Sequence, residues 1–162
     1  MYMGKIMKRL STLVICSLIG LTTLSVEAKY DIKVIESEVN QQYERLKSSN
    51  GAIRLSAVKR LSQIPHKKAV EPLSYALNDP NIFIRKVACR ALARLNYDEA
   101  VKPLSRRLKI EKDIFVQKEI IMALGELGDE TTRWTLKKYQ NHSSLSIKKA
   151  ANEALNKLNK KN

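Results

Sequence analysis

Glycine and proline occur only five and four times in this 162-residue chain, and aromatic residues make up 6% of it. That scarcity argues against a sandwich or barrel, which needs many turns and strands rich in aromatic and β-branched residues, and leaves helices as the expected element. Cysteine is nearly absent as well, with Cys16 and Cys89 far apart, so neither a disulfide framework nor a cysteine metal knuckle is available. Acids are outnumbered, 16 against 30 bases, for a net charge of +14. Histidine appears twice, at His66 and His142, with no partner at metal-ligand spacing. The one extended apolar run is confined to the first 28 residues.

That first stretch reads as an address. A basic segment from Lys5 to Arg9 precedes an apolar run from Leu10 to Val26, and Val26-Glu27-Ala28 offers small residues at the two positions a signal peptidase reads. The expectation is an exported bacterial protein, periplasmic or secreted, that begins at Lys29 after cleavage. Ser11, Thr12, Ser17, Gly20, Thr22, Thr23 and Ser25 interrupt the run. It is therefore a poor permanent span beside the roughly 20 apolar residues of a membrane helix, although retention as an anchor stays open. Ile15 stands where a lipoprotein box requires a small residue. Cleavage would remove Cys16 together with three bases and one acid, leaving Cys89 alone and a net charge of about +12 from the +14 total.

The remainder repeats itself. Four segments align without gaps, from Ile53, Ile84, Val116 and Ile147, at steps of 31, 32 and 31 residues. In each, apolar residues stand at offsets 0, +4, +8 and +11, as in Ile84, Ala88, Leu92 and Leu95, which is one stripe of an α-helix. Second segments follow the first three, from Ala69, Ala100 and Thr131, read here at a constant step of 31. Pro72 and Pro103 lie near their starts, where a missing N–H is tolerated, and Asp98 and Asp129 are expected N-caps. Each unit is thus a helical hairpin too thin to bury its own face and stable only when stacked.

The pattern Ile84-Arg85, Ala88, Ala91-Leu92, Leu95, Asp98, Ala100-Val101, Pro103-Leu104 and Leu108 resembles the HEAT-like repeat of the phycobilisome-lyase type. The resemblance covers residues 50–158 and implies an all-α fold, a short α-solenoid of about three and a half helix-turn-helix repeats. Their expected bounds are 50–80, 81–112, 113–142 and a half repeat at 143–158. Residues 29–49 are expected to supply an N-terminal capping helix through Ile35, Val39, Tyr43 and Leu46. Asn152, where the other units have Val58, Cys89 and Ile121, marks the end of stacking, with the last residues, Lys157 onward, expected to fray.

Chemistry-bearing residues are few. Cys89 shares its column with Val58 and Ile121 and is expected to pack as a small hydrophobe. His66 and His142 fall in turns. Trp134 is expected to be partly buried against the last helix. Arg54, Arg85, Gln117 and Lys148 form a column that in this type of repeat often pairs with an acid at the junction, such as Asp79. No metal, cofactor or catalytic constellation is expected, and the His-Glu pairs of HEAT-type iron hydroxylases are absent.

The second helices carry the functional expectation, because in solenoids of this type they line the concave surface. Offsets +2, +6 and +9 place Glu71, Tyr75 and Asn78; Lys102, Arg106 and Lys109; and Arg133, Lys137 and Gln140 on one face, flanked by Arg107 and Lys138. A binding face of Tyr75, Lys102, Arg106, Lys109, Arg133 and Lys137 follows. Like charges so close disfavour the free fold slightly, so the face is either plain solvated surface or the seat of an anionic partner. The leading expectation is a non-catalytic scaffold or adaptor of the cell envelope that holds an acidic protein segment or another anionic component. Nucleic-acid binding, suggested by a strongly basic chain, and a chromophore lyase, implied only by the resemblance, are the alternatives.

Overall fold

The computed structural model describes residues 22–160, Asp129 excepted. The chain divides into two compact units, residues 1–35 and 36–162. In the first unit the description begins with helix α1 (Thr22–Arg45), which continues into the second. The basic segment, Cys16 and most of the expected signal therefore lie outside the described residues. The helix runs without a break through Ala28, where the sequence suggested a separate element starting at 29.

The second unit is a stack of helical hairpins. Its first, or A, helices are α2 (Gly51–Leu61), α4 (Ile82–Leu95), α6 (Ile114–Leu127) and α8 (Leu145–Asn159); its second, or B, helices are α3 (Val70–Ala76), α5 (Val101–Ile110) and α7 (Glu130–Lys137). Short 3₁₀ turns, Lys67–Ala69 and Asp98–Ala100, lead into α3 and α5, and a third, Lys138–Asn141, follows α7. No strand occurs among the described residues.

The A helices begin where a side chain can cap them. Asn50, Asn81 and Asp113 accept hydrogen bonds from the N–H groups of Ala52, Phe83 and Phe115, at 2.8, 2.8 and 3.0 Å, which satisfies donors the helix leaves orphaned. Ser144 holds the same position before α8 without a side-chain bond. Asp98 is not a cap: it opens a 3₁₀ turn, and Tyr97 precedes it in extended conformation.

The apolar stripes of the A helices form the core. Ala57, Leu61, Ala88, Leu92, Val116, Ile120, Leu124, Ile147 and Ala151 are completely enclosed, whereas Ile53 on the first A helix is 37% exposed. Each A helix packs on the next, α2 on α4, α4 on α6 and α6 on α8. The last pair approaches closely: a Cβ on Gly125 would lie 2.6 Å from the Ala154 backbone. Val39 of α1 and Leu46, just past its end, are buried. Glu38 pairs with Arg60 and Glu36 with Lys68, so residues 36–46 cover the first-repeat end. At the other end Asn152 is exposed, while Val58, Cys89 and Ile121 in its column are buried. The helix there continues to Asn159, and Lys157 pairs with Glu126 at 2.9 Å, so fraying does not begin at Lys157.

A polar ladder locks the repeats together. Arg54 donates to Asp79 at 2.7 Å and to the Ser48 carbonyl at 2.9 Å. One repeat on, Arg85 donates to Glu111 at 2.9 Å and to the Asp79 carbonyl at 2.8 Å, and Arg107 closes on the same carboxylate at 2.7 Å. At the third junction Gln117 keeps only the backward bond, to the Glu111 carbonyl at 2.7 Å. Its Oε1 is buried with no protein partner among the described residues.

Candidate functional site

Burial along the B helices sets their register. Ala69 and Leu73 are fully enclosed in the first hairpin and Ala100 and Leu104 in the second; in the third the enclosed residues are Thr132, at 1% exposure, and Leu136, at 0%. The third B helix is therefore displaced 32 residues from the second, not 31. The extra residue lies before α6, and everything after it moves by one. The interval from the start of each A stripe to its B helix is then constant: Ile53 to Ala69, Ile84 to Ala100 and Val116 to Thr132.

This shift reassigns part of the expected face. Glu71, Lys102 and Trp134 stand in one column, Tyr75, Arg106 and Lys138 in the next, and Asn78, Lys109 and Asn141 in a third. Trp134 is 68% exposed rather than partly buried, because it is two residues from both Thr132 and Leu136 and so points away from the core. Arg133 leaves the face. Its side chain is largely covered and bonds to Glu130 at 2.7 Å and to Asn159 of α8. Lys137 is exposed beside the face, its ammonium 5.3 Å from the centre of the Trp134 ring, a cation–π contact worth about 0.5–1 kcal/mol at such a site.

Tyr75, Lys102, Arg106 and Lys109 are all exposed where the sequence put them. Lys102, Arg106 and Lys109 follow a helical i, i+4, i+7 spacing on α5. Among the described residues, no carboxylate pairs with these three or with Lys138. Arg107, by contrast, is consumed by Glu111. Tyr75 meets Tyr43 edge to face, centroids 5.5 Å apart, and Lys47 lies 4.8 Å over the Tyr43 ring. The B face thus presents four unpaired cations between an aromatic pair at one end and Trp134 at the other. The sequence does not place Lys47 here and puts Lys138 only at the flank; the corrected register brings Lys138 into the column of Tyr75 and Arg106.

The remaining candidates are structural. Cys89 is fully enclosed, and burial pushes its thiol far above the ordinary range, so the reactive thiolate is disfavoured. His66 and His142 accept the N–H groups of Lys68 and Ser144 through Nδ1, at 3.2 and 3.1 Å, and so shape turns. Tyr139 ties the end of the third hairpin to the second by donating to the Leu108 carbonyl at 3.1 Å, and burial raises its pKa. Among the described residues no three His, Cys, Asp or Glu side chains gather as a metal site, and no helix is long and apolar enough to cross a membrane.

Comparison with known proteins agrees with this architecture. The family model for HEAT repeats matches residues 41–117. The fold is that of a short HEAT-like α-solenoid. Human deoxyhypusine hydroxylase, solved with glycerol, superposes with a TM-score of 0.72 at 21% identity over 80% of this chain and 46% of its own. The CpcE–CpcF complex of phycocyanin lyase from Nostoc sp. PCC7120 gives a TM-score of 0.62 at 18% identity, over 88% of this chain and 62% of that one. A designed armadillo repeat protein in complex with the peptide (KR)4 gives 0.56 at 21% identity, over 72% and 62%. The chain therefore spans about half to three-fifths of the solved chains it resembles, and at these identities the likeness is one of fold. No curated protein sequence matches it significantly.

Proposed function

We propose that the protein is a non-catalytic interaction scaffold of the bacterial cell envelope that holds an acidic protein segment on its B face. One observation carries the reading: Lys102, Arg106, Lys109 and Lys138 are exposed and share no carboxylate among the described residues, although the chain pairs most of its other arginines. Like charges three or four residues apart cost a few tenths of a kcal/mol each, and an anionic partner would reverse that cost while steering its own approach. Repeat solenoids present long surfaces to extended peptides, and the designed armadillo neighbour was solved with a basic one; the face here is itself basic, which suits an acidic peptide. Two of the similar structures bear the names of enzymes. The non-catalytic reading rests on the engagement of Cys89 and both histidines in packing and turns.

The test is fluorescence anisotropy with a labelled decapeptide of alternating glutamate and serine at low and high salt. Binding should weaken steeply with salt, and Arg106→Glu with Lys138→Glu should weaken it at least tenfold, while Lys149→Glu with Lys160→Glu should change it less than threefold. Equal loss from both pairs would reduce the face to bulk charge. Tyr75 and Trp134 beside the cations also suit stacked bases, so preference for a single-stranded oligonucleotide of equal charge would move the function to nucleic acid. Export belongs to the same proposal. Protein recovered from cells should have the intact mass of a chain beginning at Lys29, and retention of residues 1–28 would refute cleavage.

A further inference from the structure

Both phenylalanines of this chain lie on its surface, Phe83 at 64% exposure and Phe115 at 65%. They hold the same position one repeat apart, each with its N–H on the side chain of the helix cap. The neighbouring Ile84 and Val116 fill the core at this level. The rings are instead left in water at a cost in apolar exposure, and exposed apolar surface gathered in one place marks a contact site. Lys86 joins them: its ammonium is 5.5 Å from the Phe83 ring centre and 5.7 Å from that of Phe115.

Next to this cluster an open groove of about 610 Å³ runs along the A layer between α4 and α6, with Ala93 and Ala123 along it and Lys118, Arg94 and Met122 beside them. Two carboxylates line it, but both are engaged, Glu119 by Arg90 and Glu126 by Lys157. Lys86 and Lys118 have no carboxylate partner among the described residues. From Phe115 to Glu126 the groove follows α6 for about 16 Å at 1.5 Å per residue. That length matches roughly five residues of extended chain at about 3.3 Å each.

We infer that this groove is a second docking site, for an extended acidic segment of a partner protein with one aromatic or leucine side chain seated against Phe83 and Phe115 and carboxylates on Lys86 and Lys118. The site is independent of the B face, which belongs to the other layer of the stack. A second copy of the chain is the poorer occupant, because two bodies each carrying +14, or +12 after the proposed cleavage, repel. An anionic bilayer is poorer too, since a flat sheet of lipid phosphates would meet Glu119 and Glu126 as well as the lysines. A peptide can set its carboxylates at the lysines and leave the glutamates to their partners. Two such surfaces on opposite layers would let one short solenoid bridge two proteins.

The experiment uses the full chain and a fluorescein-labelled heptapeptide of alternating glutamate and leucine with a central phenylalanine. A peptide of the same charge with serine at every apolar position is the comparison. The apolar peptide should bind at least tenfold more tightly than the serine peptide. The double variant Phe83→Ala, Phe115→Ala should weaken it tenfold or more with the far-UV circular dichroism unchanged, and Lys118→Glu, on an exposed side chain, should do the same. Arg106→Glu with Lys138→Glu should change it less than twofold, which separates this site from the B face whichever of them fails. Equal binding of the two peptides, or unchanged binding by both the phenylalanine and the Lys118 variants, overturns the proposal. So does cosedimentation with phosphatidylcholine vesicles containing one-quarter phosphatidylglycerol that is lost in the phenylalanine variant while peptide binding is kept.

Discussion

The A and B layers of this solenoid obey different rules. The A helices run 11, 14, 14 and 15 residues and bury a stripe along their length, whereas the B helices run 7, 10 and 8 residues, and α5 and α7 each bury only two side chains. Helices that short gain little from local hydrogen bonding, so they hold their shape through the A layer beneath them. The A layer accordingly carries most of the stability, and the B layer is free to vary its outer residues toward charge. The contrast holds at the junctions as well: Arg54 and Arg85 are tethered to acids, while among the described residues no acid pairs with Lys102 or Arg106 one layer away.

The largest effect expected from breaking this division is at the second junction. Arg85→Ala removes a buried guanidinium that serves Glu111 and the Asp79 and Pro80 carbonyls, and should cost about 3–5 kcal/mol in denaturant unfolding, as loss of one partner from a buried pair does. Gln117→Ala at the third junction, where no charge pair exists, should cost clearly less. If the two were equal, the ladder would contribute nothing beyond its carbonyl contacts. Leu92→Ala in the A-layer core should cost about 2–5 kcal/mol by the same measurement.

Gly125→Ala probes the close approach of α6 and α8. The added methyl would collide with the Ala154 backbone, and overpacking of this kind typically costs about 1–3 kcal/mol. A neutral or stabilising result would show that α8 can back away freely.

Acid should act through the same junction. Burial pushes the Glu111 carboxyl up, but the Asp113 N–H, Arg85 and Arg107 together outweigh it and hold the pKa below the ordinary carboxylate range. With the folded value below the unfolded value of about 4.3, this stabilisation is fully present above that pH and disappears as pH falls through the folded value. The denaturant midpoint should be flat from pH 7 to 5 and drop below about pH 4, and Glu111→Gln should flatten that drop. The smallest effect belongs to the B face: Lys102→Ala should stay within roughly 0.5 kcal/mol.

Much of the A layer was legible beforehand because its stripe recurs four times in residues that are unambiguously apolar. The register of α7 was misread because Thr131 and Thr132 are equally plausible as the first enclosed residue. Extending the earlier step of 31 chose the wrong one, although the extra residue already visible before Val116 had to displace the whole hairpin. The misreading moved Arg133 onto the face and Trp134 toward the core. Asp79 was anticipated as a partner of the arginine column; Glu111, held by two arginines, was not, since its second partner, Arg107, lies on the B helix and had been counted as surface charge.

Periodicity alone determined the helical hairpins and the side of each A helix that is buried, because a 3.6-residue period recurring every 31 or 32 residues leaves one way to bury apolar side chains by stacking. Only the tertiary structure decided which cations stay unpaired and which aromatics stay in water. Both depend on what lies within a few ångströms in the folded chain: Glu111 and Glu130 neutralise Arg107 and Arg133, Lys86 reaches two phenylalanine rings on successive helices, and among the described residues no carboxylate pairs with Lys102, Arg106 or Lys138.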